Sequence, residues 1–169
     1  MRPMPAMFSE GSKLAALVLP DPQALLAGAR ADAQRSGLGY AGGVTPLQAW
    51  QLVQAGAATL VDVRSPEEYR FVGHVPGSLN VAWATGTALT RNPRFARELE
   101  ARLGGDKSRT VLLLCRSGKR SALAAEAATK AGFAAAFNVL EGFEGELDAH
   151  RQRGHGDGWR FHDLPWEQD

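Results

Sequence analysis

The chain of 169 residues contains one cysteine, Cys115, and the residues around it are of types that can do chemistry together. In VLLLCRSGKRSALAAEAA this cysteine falls between a strongly apolar run and an alanine-rich stretch of helical character. Arg116, Lys119 and Arg120 put three cations within six positions. Ser117 and Gly118 are small enough to let a loop curl with consecutive backbone N–H groups pointing inward. The helix that follows adds the positive end of its dipole. Such a setting favours a thiolate, the nucleophilic form of cysteine, and equally favours a small dianion beside it. A lone cysteine after an apolar strand is by itself more often an inert core residue. The cationic, glycine-containing loop weighs against that here.

Other candidates carry a structural reading beside the functional one. Asp62 and Arg64 end an earlier strand on the same side as Cys115. Arg64 could help to bind an anion, but a pair that ties neighbouring loops together is favoured. His74 sits in a Gly-His-Val-Pro-Gly turn, where a structural hydrogen bond is favoured over proton transfer. Trp83 reads as packing or pocket wall. His150, His155 and His162 are irregularly spaced and unaccompanied by cysteine, so a solvated tail is favoured over a metal site. Trp159 and Trp166 read as pins that hold this tail to the domain. Arg91, Arg94, Arg97 and Arg102 alternate with Glu98 and Glu100, as on an exposed helix face rather than a nucleic-acid site.

The elements that must position these residues are marked by caps and breakers. Asp21-Pro22 and Thr45-Pro46 each read as a helix cap followed by a first-turn proline, with stops at Gly37 and Gly56. SGLGYAGG between them reads as a linker. ATLVDV, SLNVA, TVLLLC and FNVL read as strands. Ser65-Pro66-Glu67-Glu68 is a capping box, and Asn92-Pro93 opens a helix through RFARELEARL. A last helix runs from the cysteine loop to Gly132. Alternating strands and helices imply an α/β fold, an open and mostly parallel sheet covered on both faces, with an N-terminal helical extension. Ligands bind such sheets beyond the carboxyl ends of strands, which is where Cys115 falls. The expected division is 1–44 extension and linker, 45–152 main domain, and 153–169 a tail packed on it.

Composition narrows the function classes. Hydrophobic residues make up 44% and charged residues 22%, the balance of a soluble globular protein. The net charge of +1 supplies no global field toward nucleic acid or an anionic membrane. The apolar stretch Leu14 to Leu19 is cut short by Pro20-Asp21-Pro22, and MRPMPAMFSEGSK lacks the marks of a secretory signal, so a cytoplasmic protein is expected. A single cysteine excludes an intramolecular disulfide and a multi-cysteine zinc site.

CRSGKRS resembles the active-site loop of the rhodanese-like sulfurtransferase family, in which a cysteine carries a persulfide. VDVRSPEEYRFVGHVPGSLN (61–80) is similar to that family's amino-terminal signature, and FNVLEGFEG (137–145) to its late strand and glycine-rich turn. The resemblance covers roughly residues 45–166. One departure is Gly142-Phe143, where many members carry two adjacent glycines. The resemblance implies a rhodanese-like five-stranded sheet and a sulfurtransferase mechanism. Cys115 would take the outer sulfur of thiosulfate, the amides of Arg116 through Arg120 would cradle the persulfide, and Arg116, Lys119 and Arg120 would hold the sulfonate end. A thiol or protein acceptor, or cyanide, would then remove the sulfur; no metal or organic cofactor is implied. Two further readings stand beside it. One is a partner-bound sulfur relay or binding module, with the 21–36 helix as partner surface or homodimer arm, packing on the domain being its plainer role. The other is a cysteine-dependent phosphatase or arsenate reductase. These resemble the arrangement but place five residues between cysteine and arginine, where this chain has four between Cys115 and Arg120.

Overall fold

A computed structural model describes residues 21–169. The opening stretch read above for targeting signals, residues 1–20, lies outside it. Helix α1 spans Pro22–Ser36, begins where the Asp21 carboxylate accepts from the Ala24 N–H, and ends at Gly37 in the left-handed conformation. Helix α2, Pro46–Gln54, opens with a full capping box between Thr45 and Gln48. Strand β2, Thr59–Asp62, leads through the Ser65 turn to β3, Leu79–Asn80, and then to a small hairpin of β4, Ala84–Thr85, and β5, Thr90–Arg91. Helix α3 is Phe95–Arg102, β6 is Thr110–Leu114, α4 is Lys119–Lys130 and β7 is Ala135–Val139.

The main sheet has five strands in the order β1-β7-β6-β2-β3, where β1 is Gly42–Val44, and every pairing is parallel. Its side chains alternate between two cores, as period two demands. Val111, Leu113 and Cys115 face α3 and α4, among Phe95, Leu99, Ala124, Ala125 and Ala128. Leu112 and Leu114 face the opposite core with Leu26, Ala49, Leu52, Phe143 and Trp159. Helices therefore cover both faces. The alanines of α4 let that helix sit close on β6 and β7, so its amino terminus is delivered directly above the end of β6.

Three expectations are corrected. The segment read as a linker supplies strand β1, Gly42–Val44, which pairs with β7 at the sheet edge. A Cβ on Gly42 would lie 2.6 Å from the Ala29 carbonyl oxygen, so the glycine that suggested a linker instead permits α1 to approach the strand. The Ser65 box closes as expected, with Glu68 and Ser65 exchanging backbone-to-side-chain bonds, but the turn that follows, Glu68–Val72, is π-helical. Asn92 opens its helix late: its Oδ1 accepts from the Arg94 N–H and its amide donates to the Ala82 carbonyl, so α3 starts only at Phe95.

The α1 helix packs on the domain through Leu26 and Ala33, and Arg30 donates to the Ala134 carbonyl. At the other end of the chain Trp159 is fully buried, edge-on to Trp50 at 6.0 Å, and its indole N–H donates to Pro165. Among the described residues no helix is long and apolar enough to cross a membrane.

Candidate active site

Strand β6 ends at Leu114 and the chain turns at once into the loop 115–118, with Gly118 at φ 99° immediately before α4. The turn after β7 shapes this loop. Glu141 and Gly142 both take positive φ, 72° and 71°, which directs the N–H of Phe143 to the Cys115 carbonyl at 2.8 Å. The N–H groups of Glu144 and Gly145 go to the Arg116 carbonyl. These carbonyls are drawn away from the loop interior, and the Gly118 N–H turns in toward the cysteine sulfur. A Cβ on Gly142 would stand 2.4 Å from the Arg116 backbone, so only glycine allows the two turns to nest.

Two donors converge on the Cys115 sulfur: the Gly118 N–H at 3.1 Å and the Ser121 hydroxyl at 3.2 Å. Asn138, in β7, holds both of them from behind. Its amide nitrogen donates to the Gly118 carbonyl at 3.2 Å, which leaves its oxygen to pair with Ser121. The single hydroxyl proton of Ser121 thus has two acceptors within reach. It can go to an anionic sulfur, or to Asn138 while a protonated sulfur donates to the hydroxyl oxygen.

The cations of the loop are placed unequally. Lys119 projects into solvent, its side chain 82% exposed and 4.0 Å from Glu146. Arg120 forms a two-bond pair with Glu68, at 2.8 and 2.9 Å. Burial by itself would raise the Glu68 pKa. The Arg120 hydrogen bond and charge overcome this, helped by the Ser65 backbone and by Arg64, and hold it at about 2. Arg116 lines a cavity of about 490 Å³ together with Arg120, Arg153, Glu67, Val72 and Leu89.

Arg64 does not reach this cavity. Its fully buried guanidinium binds Asp62 in a bidentate pair and donates to the Gly73 carbonyl at 2.6 Å. It lies 4.4 Å from the Phe143 ring, which carries Arg160 at 5.2 Å as well. The departure at Gly142-Phe143 is therefore a ring packed against two guanidinium groups. His74 stacks on Tyr69 and its Nδ1 meets the Tyr69 carbonyl at 2.9 Å, while Nε2 lies 3.3 Å from Glu167. Trp83 packs edge-on against Phe95 at 5.3 Å. The carboxyl-terminal histidines stay apart, His155 on Asp148 and His162 on Glu141, and no metal-holding cluster occurs among the described residues.

Sequence reasoning missed that Ser121 and Asn138 reach the cysteine loop and that Arg153 lines the cavity. Asn138 had a signal, since an asparagine inside the apolar stretch AAAFNVL has to find partners when buried. The other two did not: Ser121 looks like any first-turn serine, and Arg153 sits in a polar, glycine-rich stretch.

The parallel α/β sheet, with a cysteine loop nested between a strand end and a helix start, agrees with the family resemblance of the sequence. The chain belongs to the rhodanese-like domain family, whose profile matches residues 45–147. Its fold is similar to the crystal structure of Rv0390 from M. tuberculosis, with 48% identity and a TM-score of 0.66 over 77% of this chain and 99% of that one. Thiosulfate sulfurtransferase 16, a chloroplastic protein of Arabidopsis thaliana, is 32% identical over 97 residues, 56% of this chain and 78% of that protein. The sulfur carrier protein TtuD of Thermus thermophilus is 34% identical over 87 residues, 41% of this chain and 30% of that protein. Membership of this family and these relatives support sulfur transfer in the general sense.

Proposed function

We propose that the protein is a sulfurtransferase that moves sulfane sulfur from thiosulfate, or a donor like it, to a thiol or to cyanide through a persulfide on Cys115. The observation that carries the reading is the pair of donors on the sulfur, Gly118 N–H and Ser121 hydroxyl, inside a loop whose carbonyls are drawn away by the 141–145 turn. In the first step the Cys115 thiolate attacks the outer sulfur of thiosulfate. A bond forms between the two sulfurs, the sulfur–sulfur bond of thiosulfate breaks, and its electron pair leaves with sulfite. The Gly118 N–H and the positive end of α4 then face a persulfide anion in place of a thiolate, with no need to reorganise. In the second step an acceptor thiolate or cyanide attacks the outer sulfur and Cys115 leaves as thiolate. Charge balances in each step, and neither needs a metal or an organic cofactor.

A partner-bound relay is the second reading, favoured by one observation: Cys115 is only 1% exposed, so an acceptor must come into the loop to meet it. Steady-state thiocyanate formation from thiosulfate and cyanide separates the two. Turnover that is lost in Cys115→Ser supports the enzyme. Sulfur loading without turnover supports the relay, and neither loading nor turnover overturns both.

A further inference from the structure

The family resemblance assigns anion binding to the cysteine loop, yet a charge count of the cavity leaves little of that loop for the purpose. Arg120 is committed to Glu68 through two hydrogen bonds, and Lys119 points into solvent. Arg64 is buried on Asp62 and does not line the cavity. Of the lining carboxylates, Glu144 is matched with Arg160 at 3.7 Å, and Glu67 is exposed to solvent. Arg116 and Arg153 both line the cavity, and neither has a carboxylate within 4.0 Å among the described residues. Arg116 also has a buried Nε with no hydrogen-bond partner. Arg153 is held from one side only, Nη1 donating to the Gly145 carbonyl at 2.7 Å, so the rest of its five-donor fork is left for other partners. Gly145 itself belongs to the turn whose N–H groups bind the Arg116 carbonyl. The same turn therefore holds the Arg116 backbone and one side of the Arg153 guanidinium.

The geometry points to Arg153, brought in by the carboxyl-terminal segment beyond the family match, as the partner of Arg116 in seating the oxyanion end of the sulfur donor. This assignment rests on the sulfur-transfer reading and names an anion subsite in the cavity lined by Arg116, the residue next to Cys115 in the chain. Two guanidinium groups that line one cavity without a carboxylate partner suit a trigonal array of oxygens such as the sulfonate face of thiosulfate. The proposal requires the donor's outer sulfur to reach Cys115, which opens the loop that Arg116 belongs to.

The plainer role for Arg153 is to anchor Gly145, and Arg153→Gln separates the two because it keeps a donor for that carbonyl while removing the charge. The measurements on the full chain are the KM for thiosulfate and the alkylation rates of Cys115 with iodoacetate and with iodoacetamide. In Arg153→Gln the KM for thiosulfate should rise about tenfold with little change in kcat, and iodoacetate should lose rate relative to neutral iodoacetamide. Arg153→Lys should fall between the two. An unchanged iodoacetate-to-iodoacetamide ratio in Arg153→Gln overturns the inference, as does a rise confined to the KM of a carboxylate-bearing acceptor thiol. Equal slowing of both reagents also overturns it, since it marks loss of loop shape. If the wild type takes up no sulfur while the alkylation ratio still falls in Arg153→Gln, the anion subsite stands and the sulfur-transfer reading fails.

Discussion

Arg120 and Glu68, 52 residues apart in the chain, meet in two parallel hydrogen bonds that tie the start of α4 to the π-helical turn after β2. The Glu68 carboxylate is held at about 2, below its ordinary value of 4.5. A folded-state value below the unfolded one contributes stability that is fully present above 4.5 and is lost as pH falls through about 2. Glu68→Gln should therefore be less stable than wild type at neutral pH, with the difference shrinking as the pH is lowered from 4.5 toward 2. Urea titrations of both proteins across that range check this. A difference that stays constant would show that the pair contributes through shape and not through charge.

The unequal placement of the loop cations separates Lys119 from Arg120. Lys119→Ala removes a side chain that is 82% exposed and should leave turnover within about twofold, as surface charges usually do. Arg120→Ala leaves a part-buried carboxylate unpaired beside the loop, so sulfur transfer and stability should fall together. Kinetics and thermal melts of the two single variants decide this, and equal effects would contradict the assigned geometry.

Ser121→Ala removes one of the two donors on the sulfur and strands the Asn138 oxygen. Sulfur uptake should slow about tenfold, the worth of one hydrogen bond to a charged group at about 1.5 kcal/mol. Ser121→Thr, which keeps the hydroxyl, should recover most of the rate. Single-turnover loading with thiosulfate measures it. Equal rates in Ser121→Ala and wild type would mean that the hydroxyl serves Asn138 alone.

Gly142→Ala tests whether the nested turns shape the loop. The new Cβ would meet the Arg116 backbone, and the residue would have to hold a φ of 71°. A loss of about 2 kcal/mol or more in stability is expected, with sulfur uptake falling further than stability alone explains. Gly118→Ala is the milder control: its nearest neighbour would be 3.5 Å away, so only the φ of 99° is strained. If both variants kept wild-type loading, the loop would not depend on its glycines.

Much of this was legible in the sequence because it is written in local signals. Caps at Asp21 and Thr45, breakers at Gly37, Gly56 and Gly132, and the apolar run before Cys115 each act over a few residues. They fixed the α/β alternation and put the cysteine at a strand end. The parts that were not legible depend on pairing at a distance. Strand β1 is short and glycine-rich, and only its partner β7 makes it a strand. Glu68 satisfied a capping box and so had no visible need of Arg120. Arg153 sits in a polar, glycine-rich stretch like a solvated tail; its place at the cavity depends on the Gly145 carbonyl, which a distant turn supplies. Which of the loop cations faces the cavity likewise follows from carboxylates contributed by other segments.

The most direct test of the account is intact-mass measurement after brief exposure of freshly reduced protein to thiosulfate. The mass should rise by one sulfur atom, the gain should be removed by dithiothreitol, and Cys115→Ser should show none. An unchanged mass at thiosulfate concentrations well above millimolar would contradict a persulfide on Cys115, and with it the proposed activity.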